Sequence, residues 1–60
     1  MQTKFKVGDM VQWHDPEDAR VYHDYELTKI FDNGEAEISS NDGEGTMIVY
    51  LDDIEFETNA

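Results

Sequence analysis

Asn33-Gly34, set between two runs of β-branched and aromatic residues, narrows most what this chain can fold into. Both residues tolerate positive φ, so the pair turns one strand back onto the next as a hairpin. A three-residue loop Asp32-Asn33-Gly34 with a left-handed Gly34 sets Ile30 opposite Ala36. That register points Ala36 and Ile38 inward and Glu35, Glu37 and Ser39 outward. A two-residue turn would pair Phe31 with Ala36 instead, and the sequence leaves both registers open.

Strand chemistry continues on either side. Phe5 and Val7 alternate with lysines and lead into the turn pair Gly8-Asp9. Met10-Val11-Gln12-Trp13 follows, with Val11 and Trp13 on one face at the period of two. His14-Asp15-Pro16 ends that strand, because proline cannot donate to a ladder and drives its predecessor to extended geometry. Downstream, Ser40-Asn41-Asp42-Gly43-Glu44-Gly45 is a loose polar turn. Residues 46–51 make a fourth strand, with Met47 and Val49 inward and Ile48 and Tyr50 on the other face. Asp52-Asp53 interrupts as a single 3-10 turn, and Ile54-Glu55-Phe56 forms a last short strand.

The stretch 16–31 carries two competing signals. Asp15 before Pro16, Glu17 and Asp18 has the form of a helix start: a capping acid, proline first, then acids in the first turn. Val21, Tyr22, Tyr25, Thr28, Ile30 and Phe31 belong to the types enriched in strands. The resolution is a loop, with room for one helical turn at 16–20, then a strand from Tyr22 or Tyr25 to Phe31. Whether residues 16–24 are loop or helix stays open. Tyr25 and Leu27 share one parity and Ile30 has the other, so burying all three requires a bulge near Thr28-Lys29.

Sixty residues without cysteine must be held by a hydrophobic core alone, with neither disulfides nor thiolate metal sites. A core of that size supplies on the order of 3–5 kcal/mol. No segment approaches the roughly 20 apolar residues of a membrane span. The lysines of the first six residues have no apolar run behind them, so no signal peptide is read there and a cytoplasmic location is expected. The expected organisation is a flexible N-terminus at 1–4, a barrel over 5–57 and a fraying tail at 58–60.

Five short strands, a longer loop after the first and a tight turn before the last predict an all-β, single five-stranded SH3-like barrel with a short 3-10 turn before the last strand. Phe5-Lys6-Val7-Gly8-Asp9-Met10-Val11-Gln12-Trp13 resembles the "VGD-x-V" opening of KOW, Tudor and other SH3-like barrels. Val49-Tyr50-Leu51-Asp52-Asp53-Ile54-Glu55 resembles their last strand pair. With Trp13-His14-Asp15-Pro16, the pattern is similar to short uncharacterised proteins of gut Bacteroidetes, which implies a bacterial source. The resemblance spans residues 5–56 and brings no active site with it. Val21-Tyr22-His23-Asp24-Tyr25-Glu26 also resembles the "ALYDYE" motif of eukaryotic SH3 domains. There the motif opens the fold, whereas here the "FKVGD" element precedes it, so no proline-peptide groove is transferred.

Charge directs the functional expectation. Fifteen acids against four bases give a formal net charge of −11. Lys4, Lys6, Arg20 and Lys29 make no basic face, which argues against direct nucleic-acid binding and against anionic membranes. A basic protein or peptide patch is the partner such a surface attracts. The loop from His14 to Asp18, closed by His23-Asp24, gathers carboxylates near aromatic residues, a combination suited to Arg or Lys side chains. Asp15, Glu17, Asp18, Tyr22, Asp24 and Tyr50 are the candidate binding residues, while Trp13 and Tyr25 have inward parity. The spacing of His14 and His23 fits no compact metal motif. Neither glycine turn supplies a calcium loop. No nucleophile elbow or phosphate-cradling loop is present. The sequence therefore predicts a monomeric, non-catalytic interaction module without metal or cofactor. The alternative is an acidic nucleic-acid mimic that inhibits a DNA- or RNA-binding protein, and a third role is assembly through the adhesive segment Met47-Ile48-Val49-Tyr50.

Overall fold

The computed structural model describes residues 3–43 and 45–57, so the expected tail at 58–60 lies outside the described residues. The chain is all-β. Its strands are β1 (Met10–His14), β2 (Val21–Ile30), β3 (Glu35–Ser40), β4 (Thr46–Tyr50) and β5 (Ile54–Phe56), with a 3-10 turn at Leu51–Asp53. They form one antiparallel sheet in the order β4-β3-β2-β1-β5. The sheet is open, because its outer strands β4 and β5 are not hydrogen-bonded to each other.

The β2–β3 hairpin takes the three-residue register. Ile30 stands opposite Ala36, Gly34 has φ 91°, and the Phe31 N–H donates to the Glu35 carbonyl at 2.9 Å. Asn33 holds the turn, its side-chain Oδ1 accepting the Glu35 N–H at 3.1 Å. Ala36 and Ile38 are consequently buried, with Val49 beside them on β4.

Strand β2 is bulged twice. Leu27 pairs with Ile38 and Lys29 with Glu37, so Thr28 is the extra residue of one bulge. A second lies between Tyr22, opposite Trp13, and Tyr25, opposite Val11, with Asp24 at φ 66°. Each bulge reverses the side-chain parity. Tyr22, Tyr25, Leu27 and Ile30 therefore share the inner face despite their uneven spacing.

The core consists of Phe5, Val11, Leu27, Ala36, Ile38, Val49 and Ile54, with Trp13, Tyr25, Ile30, Met47 and Leu51 packed against it. Phe5 enters from an arm that is not a strand. The Asp9 carboxylate accepts the Lys6 N–H at 2.8 Å, and Gly8 N–H donates to the Leu27 carbonyl at 2.7 Å. That turn breaks the alternation read from the sequence, so Phe5 is buried while Val7 stays 63% exposed. The helix considered for residues 16–24 does not form. Pro16 to Asp18 make a single turn, and the chain enters β2 at Val21.

Candidate functional site

The β1–β2 loop is tied across its base by backbone. Asp15 N–H donates to the Arg20 carbonyl at 2.8 Å, and Ala19 N–H donates to the Asp15 carbonyl at 3.0 Å. The Asp15 carboxylate accepts the Glu17 N–H at 2.9 Å, which is the bond a helix-capping acid makes. Ala19, at φ 55°, stops the turn from propagating into a helix. The helix-start signal in the sequence thus produces one capped turn. Asp15 is half-buried in this role, whereas Glu17 and Asp18 are exposed. Asp18 pairs with Arg20 at 3.4 Å, and both side chains are well exposed. Solvent screening makes such a pair worth little to stability.

One ladder step from the loop, Trp13 stands opposite Tyr22. Their rings stack with centroids 5.5 Å apart and an interplanar angle of 23°. The Trp13 indole N–H and the Gln12 side-chain oxygen are buried without a hydrogen-bond partner among the described residues. On the neighbouring outer strand, Glu55 brings another carboxylate to 4.0 Å from the His14 ring.

The bulge next to Tyr22 builds a second polar group of contacts. Asp24, displaced from the ladder, donates its N–H to one Glu57 carboxylate oxygen at 3.0 Å. His23 Nδ1 meets the other oxygen at 2.8 Å. These contacts, the Asp24 N–H first and His23 second, lower the Glu57 pKa from the ordinary value of 4.5. The Asp24 carbonyl accepts the Asn41 N–H at 2.9 Å. Glu57 was not among the residues singled out from sequence. It lies 34 positions from His23, and no local pattern marks it.

The structure therefore places Asp15, Glu17 and Asp18 in the β1–β2 loop with Tyr22 one ladder step away, whereas Asp24 sits at the bulge further along β2, where its contacts run to Glu57 and Asn41. Tyr50 stands elsewhere, on the outer strand β4 opposite Glu35 and separated from β2 by β3. No hydrogen bond, ion pair or ring contact joins it to the loop among the described residues. Nor do three or more histidine or carboxylate side chains converge on a metal-sized site there. Among the described residues no helix is long and apolar enough to cross a membrane. Comparison with protein-family models, with curated proteins and with solved structures finds no match.

Proposed function

We propose that this chain is a small SH3-like barrel acting as a monomeric, cytoplasmic, non-catalytic interaction module that docks a basic protein or peptide through the β1–β2 loop. The strand order, the two bulges that bend β2 and the 3-10 turn before β5 support the barrel. One observation carries the function: a backbone-braced loop presents Glu17 and Asp18 to solvent one ladder step from the Trp13–Tyr22 stack, with Arg20 as its own base. Bracing lowers the entropy cost of ordering the loop on binding. An incoming Arg would exchange Arg20 for itself on Asp18 and lie near the aromatic pair.

The test is titration with a labelled Arg/Lys-rich peptide at several salt concentrations. Replacing Asp15, Glu17 and Asp18 by their amides is compared with the same change at Glu26, Asp32 and Asp52, which are exposed elsewhere. The loop variant is expected to lose about tenfold or more in affinity and the control variant much less, with salt weakening the wild-type complex. Equal losses in the two variants would reduce the effect to bulk charge and sink the docking module. A second reading, nucleic-acid mimicry, draws on Glu35 and Glu37 projecting from the outer face of β3. It gains ground only if duplex DNA competes for the same partner.

A further inference from the structure

Strand β4 is an outer strand: it pairs with β3, and among the described residues no strand lies on its other side. The phase of the ladder identifies which of its backbone groups are left open. Ser40 N–H donates to the Gly45 carbonyl at one end, and Leu51 N–H donates to the Gly34 carbonyl at the other, each at 2.9 Å. Hydrogen-bonded and non-bonded pairs alternate along an antiparallel ladder. Counted inward from both ends, Met47 and Val49 bond to β3. Thr46, Ile48 and Tyr50 turn their N–H and C=O groups to the open edge. Ile48 and Tyr50 are also 51% and 60% exposed. Unpaired backbone and exposed apolar side chains thus fall on the same residues. Lysine, proline or a bulge commonly guards such an edge. Residues 46–50 contain no lysine or proline, and the β3–β4 register is unbroken.

Charge decides what the edge accepts. All four bases lie at or before Lys29, whereas nine of the fifteen acids follow it. Glu37 stands beside Ile48 and Glu35 beside Tyr50, and Asp52 and Asp53 lie in the 3-10 turn that follows the strand. The nearest base in the ladder is Lys29, across from Glu37 on β2, and its ammonium lies over the Phe31 ring. A second copy would set like-charged edges together, which opposes pairing.

We propose that the β4 edge takes an extended cationic segment of another protein as a sixth strand. Backbone bonds run to Thr46, Ile48 and Tyr50. Arg or Lys stems at alternate positions lie across Ile48 and Tyr50, and their charged heads reach Glu37 and Glu35, two strand spacings or about 10 Å away. Main-chain bonds supply affinity in this mode and the alternating side chains supply specificity. The surface is separate from the β1–β2 loop and does not depend on docking there.

The probe is a short peptide of alternating Arg and Val, compared with one of equal charge whose central Val is replaced by Pro. The alternating peptide is expected to bind about tenfold tighter, a factor that one or two backbone hydrogen bonds supply. It should also shift the Thr46, Ile48 and Tyr50 amide resonances and slow their hydrogen exchange. Ile48→Pro removes an open N–H without removing a β3–β4 bond, and should abolish the difference between the peptides. Ile48→Lys repels the peptide with the backbone intact, and serves if the proline variant fails by circular dichroism to fold. Neutralising Asp15, Glu17 and Asp18 should leave the preference in place, so failure here and failure of loop docking are told apart. Equal affinity for both peptides, or resonance shifts confined to residues 15–24, overturns the proposal. So does a dimer in sedimentation that Ile48→Lys dissolves, because the occupant would then be a second copy.

Discussion

Strand β2 bends twice, and its two bends are secured in different ways. At Thr28 the fastening is local: the hydroxyl reaches the Glu37 carbonyl at 3.0 Å and the Glu37 carboxylate at 2.9 Å, nine residues away in the chain. Its single hydrogen can serve only one of them at a time. At His23–Asp24 the freed N–H is taken by Glu57, 33 residues on, after β5 has been laid against β1. Closing the longer loop costs about 1 kcal/mol more in chain entropy. The hairpin bend is therefore self-contained, while the bend beside the acidic loop depends on the chain beyond β5. The Trp13–Tyr22 stack lies beside that second bend, so the candidate site rests on the half of the strand that is fastened by the longer-range contact.

The largest expected effect lies between the two bends, at Leu27. It is fully buried and packs where both halves of β2 meet the core. Leu27→Ala should cost about 2–5 kcal/mol, against a total on the order of 3–5 kcal/mol for a core this small. Circular dichroism should find the variant largely unfolded near room temperature. A denaturant midpoint close to wild type would mean the two halves of the strand are supported independently, and the contrast between them would have to be drawn more sharply.

Valine at each bend separates the two fastenings. Thr28→Val keeps shape and loses one hydroxyl bond, for about 0.5–1.5 kcal/mol. Asp24→Val forces a β-branched residue into a left-handed backbone, for about 1–3 kcal/mol. Asp24→Gly relieves that backbone and should be neutral or slightly stabilising. The order Asp24→Val below Thr28→Val below Asp24→Gly in melting temperature is the expected result. If Asp24→Gly fell lowest, the Asp24 side chain would have a role beyond its backbone.

The same two bends show how far the sequence could be read. The Thr28 bulge was legible because Tyr25, Leu27 and Ile30 are all apolar and conflict in parity, and only an inserted residue resolves the conflict. The Gly34 turn was legible because Asn-Gly has few conformations that suit anything else. The Asp24 bulge left no such trace, since Tyr22 is an amphipathic ring that fits either face. Aspartate tolerates positive φ but does not demand it. Tyr50 was grouped with the loop on its chemistry alone, and that cannot tell one edge of a sheet from another. The helix-start signal at Asp15-Pro16-Glu17 was a real cap whose helix was never built, because the residues that follow pair as strand.

Glu57 offers the gentlest way to loosen the second bend without touching the core. Its carboxylate takes the Asp24 N–H and the His23 ring together, and its pKa is lowered below 4.5. A carboxyl whose folded pKa is depressed binds its proton less readily when folded than when unfolded. Its contribution is therefore complete above the unfolded value near 4.5 and is lost as pH falls through the lower folded value. Glu57→Gln keeps an acceptor oxygen and removes the charge. The difference in melting temperature between wild type and Glu57→Gln should thus be largest at neutral pH and shrink below 4.5. Taking the difference cancels the other carboxylates, whose mutual repulsion also eases on acidification. The Trp13–Tyr22 contact, followed by tryptophan fluorescence, should loosen in the variant before the β2–β3 hairpin does. A difference that stays constant across this pH range would show that Glu57 holds the bend by shape alone. The acidic end of the sheet would then be no more dependent on charge than the hairpin end.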